Sequence, residues 1–232
     1  MTENHIWQGP SELLARDLPS PINCVVTDPP YGVNHQSRQS VTPEGKKWAT
    51  KIKNDADLSG ALALFQDVMK PIIPKMAEHS DLYVFTRWDI VDAWMSAVRS
   101  LPDIAYKMLL VWEKGSPGMG DIDANWGCGH ELILYCKKGR RDVPERRSGV
   151  IHVDQVPASK MIHPNEKPVG VIEVLLRMSA TKGDLIVDPF SGSASTSVAA
   201  QRLGMHSIGI DDDPVHVQRG RARLSALTFD FA

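Results

Sequence analysis

Cysteine is scarce in this chain, which has only three in 232 residues, at positions 24, 128 and 136. Their number is odd and their spacing matches no metal-ligand pattern, so neither a disulfide framework nor a metal site is expected. Cys24 and Cys136 fall inside apolar runs, which predicts reduced thiols packed in a core.

Long apolar segments are also absent. No run approaches the roughly 20 residues that span a bilayer, and residues 1–7 lack the basic and apolar segments of a secretory leader. Together with the reduced cysteines, these absences predict a soluble protein of the cytoplasm with no membrane partner.

There is no excess of positive charge, since the formal net charge is −2 at pH 7. Binding to nucleic acid would therefore rely on local basic patches. Charged residues make up 23% and apolar residues 42% of the chain, which is ordinary for a globular protein. Such a chain can bury a full core, and we expect residues 1–232 to form a single domain.

The most informative stretch is Asp28-Pro29-Pro30-Tyr31. It follows the apolar, β-branched run 22–27, which predicts a buried strand. Sheets in α/β proteins place functional groups at the carboxyl ends of their strands. Neither proline has an N–H, and Pro30 keeps Pro29 out of the helical region. The Pro29 carbonyl can therefore join the Asp28 carboxylate as a second fixed acceptor.

Two fixed acceptors beside an aromatic ring suit one reaction in particular. The exocyclic amine of a nucleobase is a poor nucleophile, because its lone pair is delocalised into the ring. Two acceptors that receive hydrogen bonds from both of its N–H groups localise that lone pair, which can then attack an electrophilic methyl group. Tyr31 would stack on a base swung out of the duplex. The alternative is a plain strand-to-loop turn, for which Asp-Pro and Pro-Pro are common.

A second Asp-Pro turn lies in the last third of the chain. A predicted strand, 185–187, leads into Asp188-Pro189, and the acid Asp211 ends the next strand, about 20 residues beyond Gly192. That spacing lets a carboxylate reach ribose hydroxyls. The turn has neither G-x-G-x-x-G nor Gly-Lys-Ser/Thr, so it is not a pyrophosphate site. An acidic turn favours a positively charged cofactor such as S-adenosylmethionine; a generic α/β turn is the alternative.

The two Asp-Pro strands explain each other if they are neighbours at the switch point of the sheet, where ligands collect. One strand would then hold the methyl donor and the other the amine that accepts the methyl group.

With these motifs in this order, the chain resembles DNA amino-methyltransferases of the permuted β group, in which the catalytic half precedes the cofactor half. The resemblance implies a Rossmann-like α/β fold, with a mixed, mostly parallel sheet and helices on both faces. It implies a catalytic half at 1–138, a short target-recognition segment at 139–162 and a cofactor half at 163–232. It also implies S-adenosylmethionine as the cofactor and double-stranded DNA with its target base flipped out as the partner; a homodimer is an option.

The resemblance also assigns roles to residues. It makes Asp28, Pro29, Pro30 and Tyr31 catalytic. The element 163–168 resembles one that lies against the methionine end of the cofactor, and Asp211 resembles a ribose-binding acid. The implied cofactor residues are His163, Asn165, Lys167, Asp188, Pro189, Phe190, Ser191, Gly192, Ser193 and Asp211.

Three positions depart from the family pattern. Ala194 replaces a glycine, which is harmless if the position is already helical. Asp211 replaces a glutamate and keeps the same chemistry. Pro10 stands where relatives often have an aspartate that contacts the adenine of the cofactor. Beside it, Ser11 is expected to cap a short helix.

Two basic segments are candidates for DNA binding. The long polar segment 33–57 carries Lys46, Lys47 and Trp48, and is either a solvated loop or a flap over the base. The run after the strand at 131–136 carries Arg140, Arg141, Arg146 and Arg147, and is either a solvated face or a phosphate grip. Trp112 and Trp126 lie beside strands, which favours core packing over a base pocket.

The predicted reaction is methyl transfer from S-adenosylmethionine to the N6 amine of adenine in DNA, because the family associates Asp-Pro-Pro-Tyr mainly with adenine. The N4 amine of cytosine is the second option. A non-catalytic DNA-binding relative is a rival from another class, and an RNA or protein amide substrate is a weaker alternative.

Overall fold

The computed structural model describes residues 4–32, 57–116, 126–140, 142–144, 146–156 and 166–228. Within these ranges one eight-stranded sheet has the order β1-β8-β7-β2-β3-β5-β4-β6. Its strands are β1 (Asn4–Gln8), β2 (Ile22–Thr27), β3 (Met76–Thr86), β4 (Ala105–Glu113), β5 (His130–Lys138), β6 (Val150–His152), β7 (Leu185–Asp188) and β8 (His206–Asp211).

The sheet is mixed and mostly parallel, as the sequence predicted. Strand β5 runs antiparallel to its neighbours β3 and β4. The other neighbouring pairs are parallel. Central strand β2 is buried along nearly its whole length, which explains why its sequence reads as a continuous apolar run rather than an alternating one.

Helices cover both faces of this sheet. They are α1 (Ser11–Leu14), α2 (Leu58–Ile72), α3 (Val91–Arg99), α4 (Val169–Ser179), α5 (Ser195–Arg202) and α6 (Pro214–Thr228). Helices α2 and α3 share one apolar core with the sheet, whereas α4 and α5 share another on the opposite face. The predicted Rossmann-like fold with helices on both faces is confirmed.

Helix α2 shows how local sequence sets these elements. Its buried residues, Ala61, Phe65, Val68, Met69 and Ile72, recur at helical spacing on one face. The carboxylate of Asp57 caps the amino end by accepting a hydrogen bond from the Gly60 N–H at 2.7 Å.

Two local predictions, for Ser11 and Trp126, were wrong, and the helical conformation that would make alanine harmless at position 194 is not present. Pro10, not Ser11, occupies the N-cap of α1, and the Ser11 hydroxyl donates instead to the Pro189 carbonyl. Trp126 is 95% exposed, although Trp112 is buried as expected. Ala194 is not helical: it precedes α5 with φ 64° and ψ 27°, in the left-handed region.

The described part of the chain contains no helix that is both long and apolar enough to cross a membrane.

Candidate active site

The two Asp-Pro strands are neighbours in the sheet. Strand β2 pairs in parallel with β7, and Cys24 and Val25 lie opposite Ile186 and Val187. The chain continues from β2 to β3 on one side and from β7 to β8 on the other, so the boundary between β2 and β7 is the switch point. Asp28 and Asp188 therefore emerge together at one edge of the sheet, which we call the carboxyl edge.

Both oxygens of the Asp28 carboxylate have partners. The Tyr31 hydroxyl donates to Asp28 Oδ1 at 2.5 Å, and Lys167 Nζ lies 2.7 Å from Oδ2. The Tyr31 ring is held edge-on against the buried Trp94, with centroids 6.3 Å apart. Burial, and then the negative charges of Asp28 and Glu131, raise the pKa of Tyr31 well above its ordinary value. Its hydroxyl therefore remains a proton donor at neutral pH.

Lys167 continues a chain of alternating charges away from Asp28. Its Nζ lies 3.0 Å from Glu131 Oε2, and Glu131 Oε1 lies 2.7 Å from Lys114 Nζ. Burial alone would lower the pKa of Lys167, but the two carboxylates outweigh it and raise that pKa well above its ordinary value. Burial alone would raise the pKa of Glu131, but Lys167 and Lys114 outweigh it and lower that pKa. The two groups are therefore a fixed cation and a fixed anion.

Asp188 begins the loop that leads into α5. Its carboxylate accepts hydrogen bonds from Thr196 Oγ1 at 2.6 Å and from the Phe190 N–H at 3.1 Å. Burial raises the pKa of Asp188 to about 7 despite these two donors. Asp188 has no cationic partner among the described residues, and a positive charge placed beside it would stabilise its ionised form.

Asp211 ends β8 and faces the same loop. Its carboxylate accepts the N–H groups of Gly192 at 2.8 Å and Asp213 at 2.9 Å, and the His216 ring lies 3.3 Å away. Burial alone would raise the pKa of Asp211, but these hydrogen bonds outweigh it and lower that pKa. The acid predicted to bind ribose is therefore an anion in a fixed orientation.

A buried ion pair joins the loop to the carboxyl-terminal helix. Arg223 of α6 lies 2.7 Å from the Glu166 carboxylate and donates to the Ser193 carbonyl at 3.0 Å. Ser195 at the start of α5 donates to the Lys167 carbonyl at 2.7 Å. Glu166 and Lys167 are thereby linked to Ser193 and Ser195, in the segment that connects β7 to α5.

The structure brings only some predicted site residues together. Asp28, Tyr31, Lys167, Asp188 and Asp211 lie at the carboxyl edge, and the loop Pro189, Phe190, Ser191, Gly192 and Ser193 accompanies them. The predictions at His163, Asn165, Lys46, Lys47, Trp48 and Arg141 lie outside the described residues.

The described arginines of the predicted phosphate grip lie elsewhere. Arg140 follows the end of β5, and its N–H donates to His79 of β3. His79 and Ser80 lie near the start of β3, and Thr86 ends that strand at the carboxyl edge. The six residues from Ser80 to Thr86 span about 20 Å at the rise of a β-strand, so the start of β3 is about that far from the carboxyl edge. Arg146 and Arg147 precede β6, the fourth strand from β2 and about 19 Å of sheet away. The structure does not bring these three arginines to Asp28.

Several residues of the site carried no separate signal in the sequence. Glu131 and Lys114 stand at strand ends like many solvated charges, and only the fold shows that they meet Lys167. Arg87 and Trp88 follow β3 at the carboxyl edge. Their place in the sequence could have identified them, because they directly follow a predicted strand and functional groups collect at the carboxyl ends of strands.

The sequence is similar to those of known proteins. The sequence model of the N6/N4 family, described as DNA methylase, matches residues 22–221. "Putative methylase YubD" of Escherichia coli (strain K12) is 28% identical over 206 residues, covering 89% of this chain and 83% of its own.

Solved structures share the fold. M1.HpyAVI in complex with SAM has a TM-score of 0.71 at 18% identity, covering 95% of this chain and 98% of its own. The cytosine-N4-specific PvuII DNA methyltransferase has a TM-score of 0.72 at 15% identity, covering 99% and 92%. Since the family model spans most of the sequence, the chain belongs to the N6/N4 DNA methylase family.

Proposed function

We propose that the protein transfers a methyl group from S-adenosylmethionine to the N6 amine of an adenine flipped out of double-stranded DNA. One observation carries the proposal. The carboxylate suited to activating an amine, Asp28, and the acidic loop suited to a cationic donor, at Asp188, emerge side by side at the switch point of the sheet.

The residues of the loop fit the donor. Asp188 supplies a buried acid for the positive charge of the donor, and Asp211 an oriented anion for its ribose hydroxyls. The buried Ser191 hydroxyl has no hydrogen-bond partner among the described residues. A Cβ built on Gly192 would meet no atom within 4 Å. The loop therefore offers both a free polar group and space.

The chain contributes orientation and charge to the reaction. Asp28 accepts an N–H of the amine, which localises the nitrogen lone pair. S-adenosylmethionine, when bound, would supply the methyl group, so that the nitrogen lone pair would form the new N–C bond as the C–S bond breaks and its electrons remain on sulfur. The nitrogen then loses one proton to water. Tyr31 supplies the ring beside the base, and its hydroxyl fixes the Asp28 carboxylate.

The N4 amine of cytosine is the second candidate. The acceptors at Asp28 can bind an amine on any planar ring, and the neighbour PvuII is named a cytosine-N4-specific enzyme. Adenine is favoured by the resemblance of Asp28-Pro29-Pro30-Tyr31 to the adenine-associated motif.

We place the DNA at the carboxyl edge, over Arg87 and Trp88. The Arg87 guanidinium donates two hydrogen bonds to the Asp89 carboxylate, of 3.1 and 2.8 Å. Trp88, the next residue, is 54% exposed. An exposed ring that follows β3, the strand next to β2, at the carboxyl edge is suited to stacking on a base.

Nucleoside analysis tests the proposal. The protein is incubated with DNA and isotopically labelled S-adenosylmethionine, and the DNA is then digested to nucleosides. Labelled N6-methyladenine supports the proposal, whereas N4-methylcytosine supports the second candidate. Label found only in RNA or protein offered in parallel would contradict both. DNA binding without any labelled product would indicate a non-catalytic relative.

A further inference from the structure

The ammonium group of Lys167 is paired with Asp28, the carboxylate to which the amine of the proposed reaction would donate. It lies 2.7 Å from Asp28 Oδ2, a distance at which any N–H donor would bind a carboxylate. We infer that Lys167 holds the place of the target amine in the resting enzyme, and that Glu131 is the positioning residue that retains Lys167 when the amine displaces it. This inference rests on the proposed function.

Of the two groups on Asp28, Lys167 is the one able to leave. Tyr31 is only three residues from Asp28, and its ring is held against Trp94. Lys167 has a long flexible side chain and a second carboxylate within reach, at 3.0 Å. The charge gives a further reason. The target nitrogen becomes positive as the methyl group transfers, and an ammonium still bound to Asp28 would repel it.

Glu131 can retain Lys167 because it is itself fixed. Lys114 holds Glu131 Oε1 at 2.7 Å, which leaves Oε2 for Lys167. The side chains of Glu131 and Lys167 are only 18% and 12% exposed. A mostly buried ammonium that lost its only carboxylate would be strongly unfavourable. Glu131 removes this obstacle, because Lys167 keeps one carboxylate after it releases Asp28.

The rings around Lys167 favour the same movement. Its Nζ lies 5.4 Å from the centroid of the Phe85 ring and 5.9 Å from that of Tyr31. Both distances are within the range of cation–π attraction. These contacts keep the ammonium in the site without requiring it to remain on Asp28.

The inference predicts an unusual pattern in a double-mutant cycle. Glu131→Gln leaves Lys167 with Asp28 as its one carboxylate, so the amine position is blocked more firmly. We expect kcat/KM for DNA to fall about tenfold or more, with donor affinity almost unchanged. Adding Lys167→Met removes the blocking ammonium, and we expect the double variant to be more active than Glu131→Gln alone.

Glu113→Gln is the matched control. Glu113 is also a carboxylate at the carboxyl end of a strand, but it pairs with the exposed His152 rather than with Lys167. This variant should retain wild-type kcat/KM. Thermal unfolding and calorimetric titration with the donor should accompany each variant, because a merely structural role of Glu131 would lower stability and would not produce recovery in the double variant.

A second readout follows Lys167 itself. With lysine labelled with ¹³C at Cε, the Lys167 signal is assigned by its loss in Lys167→Met. Asp28→Asn supplies the reference in which Glu131 alone provides a negative charge to Lys167. Addition of DNA and S-adenosylhomocysteine to the wild type should move the signal toward this reference value.

The possible outcomes are distinct. A double variant no more active than Glu131→Gln, or a Lys167 signal unchanged in a DNA complex that has formed, overturns the inference and leaves the proposed function standing. A wild type that neither binds nor methylates DNA overturns the proposed function, and the inference with it.

Discussion

A methyl group on Gly220 would lie 3.0 Å from the Cβ atom of Ala194, closer than methyl groups normally pack. Ala194 is fully buried and left-handed, a conformation that costs a residue with a side chain about 1–2 kcal/mol. Its methyl group lies in the cluster formed by Ile6, Val198, Val217 and Leu224. Because Gly220 has no side chain, there is room for the methyl group of Ala194, at a position where the family pattern has glycine.

This relationship predicts coupling between the two positions. In the wild type, Gly220→Ala should destabilise by about 1–3 kcal/mol through overpacking. In an Ala194→Gly background the clash is absent, and the same change should be neutral or stabilise by up to about 1 kcal/mol through helix propensity. Urea unfolding measures both values. As a control, Gly170→Ala in α4 should change the free energy of unfolding by the same amount in both backgrounds. If Gly220→Ala also changed it by the same amount in both, the coupling would be disproved.

The raised pKa of Asp188, about 7, predicts a pH dependence of stability. Its ordinary value is 3.8, so the folded protein retains this proton more firmly than the unfolded chain. The tighter proton binding stabilises the folded protein, and this stabilisation is fully present below about pH 4 and is lost as the pH rises to about 7. Unfolding free energies across this range, compared between wild type and Asp188→Asn, should show it. A pH-independent difference between the two proteins would argue against it.

The same carboxyl predicts proton release when the donor binds. A cationic ligand lowers the pKa of Asp188, and near pH 7 the free carboxyl is about half protonated, so binding there should release up to about half a proton. Calorimetry in two buffers with different ionisation enthalpies measures this number. Asp188→Asn should abolish the release, and a variant that still releases the same proton would assign it to another group.

Tyr31 should act through both its hydroxyl and its ring. Tyr31→Phe removes the hydrogen bond to Asp28, and bonds to charged groups contribute about 1.5–3 kcal/mol. We expect turnover to fall about 10- to 100-fold with donor affinity unchanged. Tyr31→Ala also removes the ring, so the stacking free energy between the ring and the base, about 1–3 kcal/mol, should be lost in addition. Full activity of Tyr31→Phe would show that the hydroxyl has no part in orienting Asp28.

The location of the DNA can be tested with two exposed residues. Trp88→Ala should weaken DNA binding about 5- to 100-fold if the ring stacks on a base. Met108, 49% exposed on β4, serves as the apolar control, and Met108→Ala should bind normally. Arg140→Ala probes the opposite end of the sheet and should have little effect. A larger loss for Arg140→Ala than for Trp88→Ala would place the DNA on the other side.

Much of this arrangement could be predicted because it depends on local rules. The buried strand before Asp28, the strand before Asp188 and their meeting at a switch point follow from apolar runs and from the geometry of α/β sheets. The family assignment and the mixed, mostly parallel sheet were confirmed.

What could not be predicted depends on distant contacts. Lys167, which precedes α4, has its Nζ 3.0 Å or less from the carboxylates of Asp28, after β2, and Glu131, in β5, and no spacing in the sequence reveals that meeting. Strand β6 has only three residues and forms by pairing with β4. The left-handed conformation of Ala194 is opposed by the local preference of alanine and is accommodated by Gly220, which is remote in sequence.

In the proposed reaction, Asp28 activates the amine while the neighbouring loop and Asp211 bind the donor. Methyl transfer to DNA and calorimetric donor affinity, measured together for Asp28→Ala and Asp211→Ala, test it most directly. We predict that Asp28→Ala loses about 100- to 1,000-fold in turnover yet binds the donor nearly normally. Asp211→Ala should mainly weaken donor binding. Normal turnover by Asp28→Ala, or equal loss of donor affinity in both variants, would contradict the account.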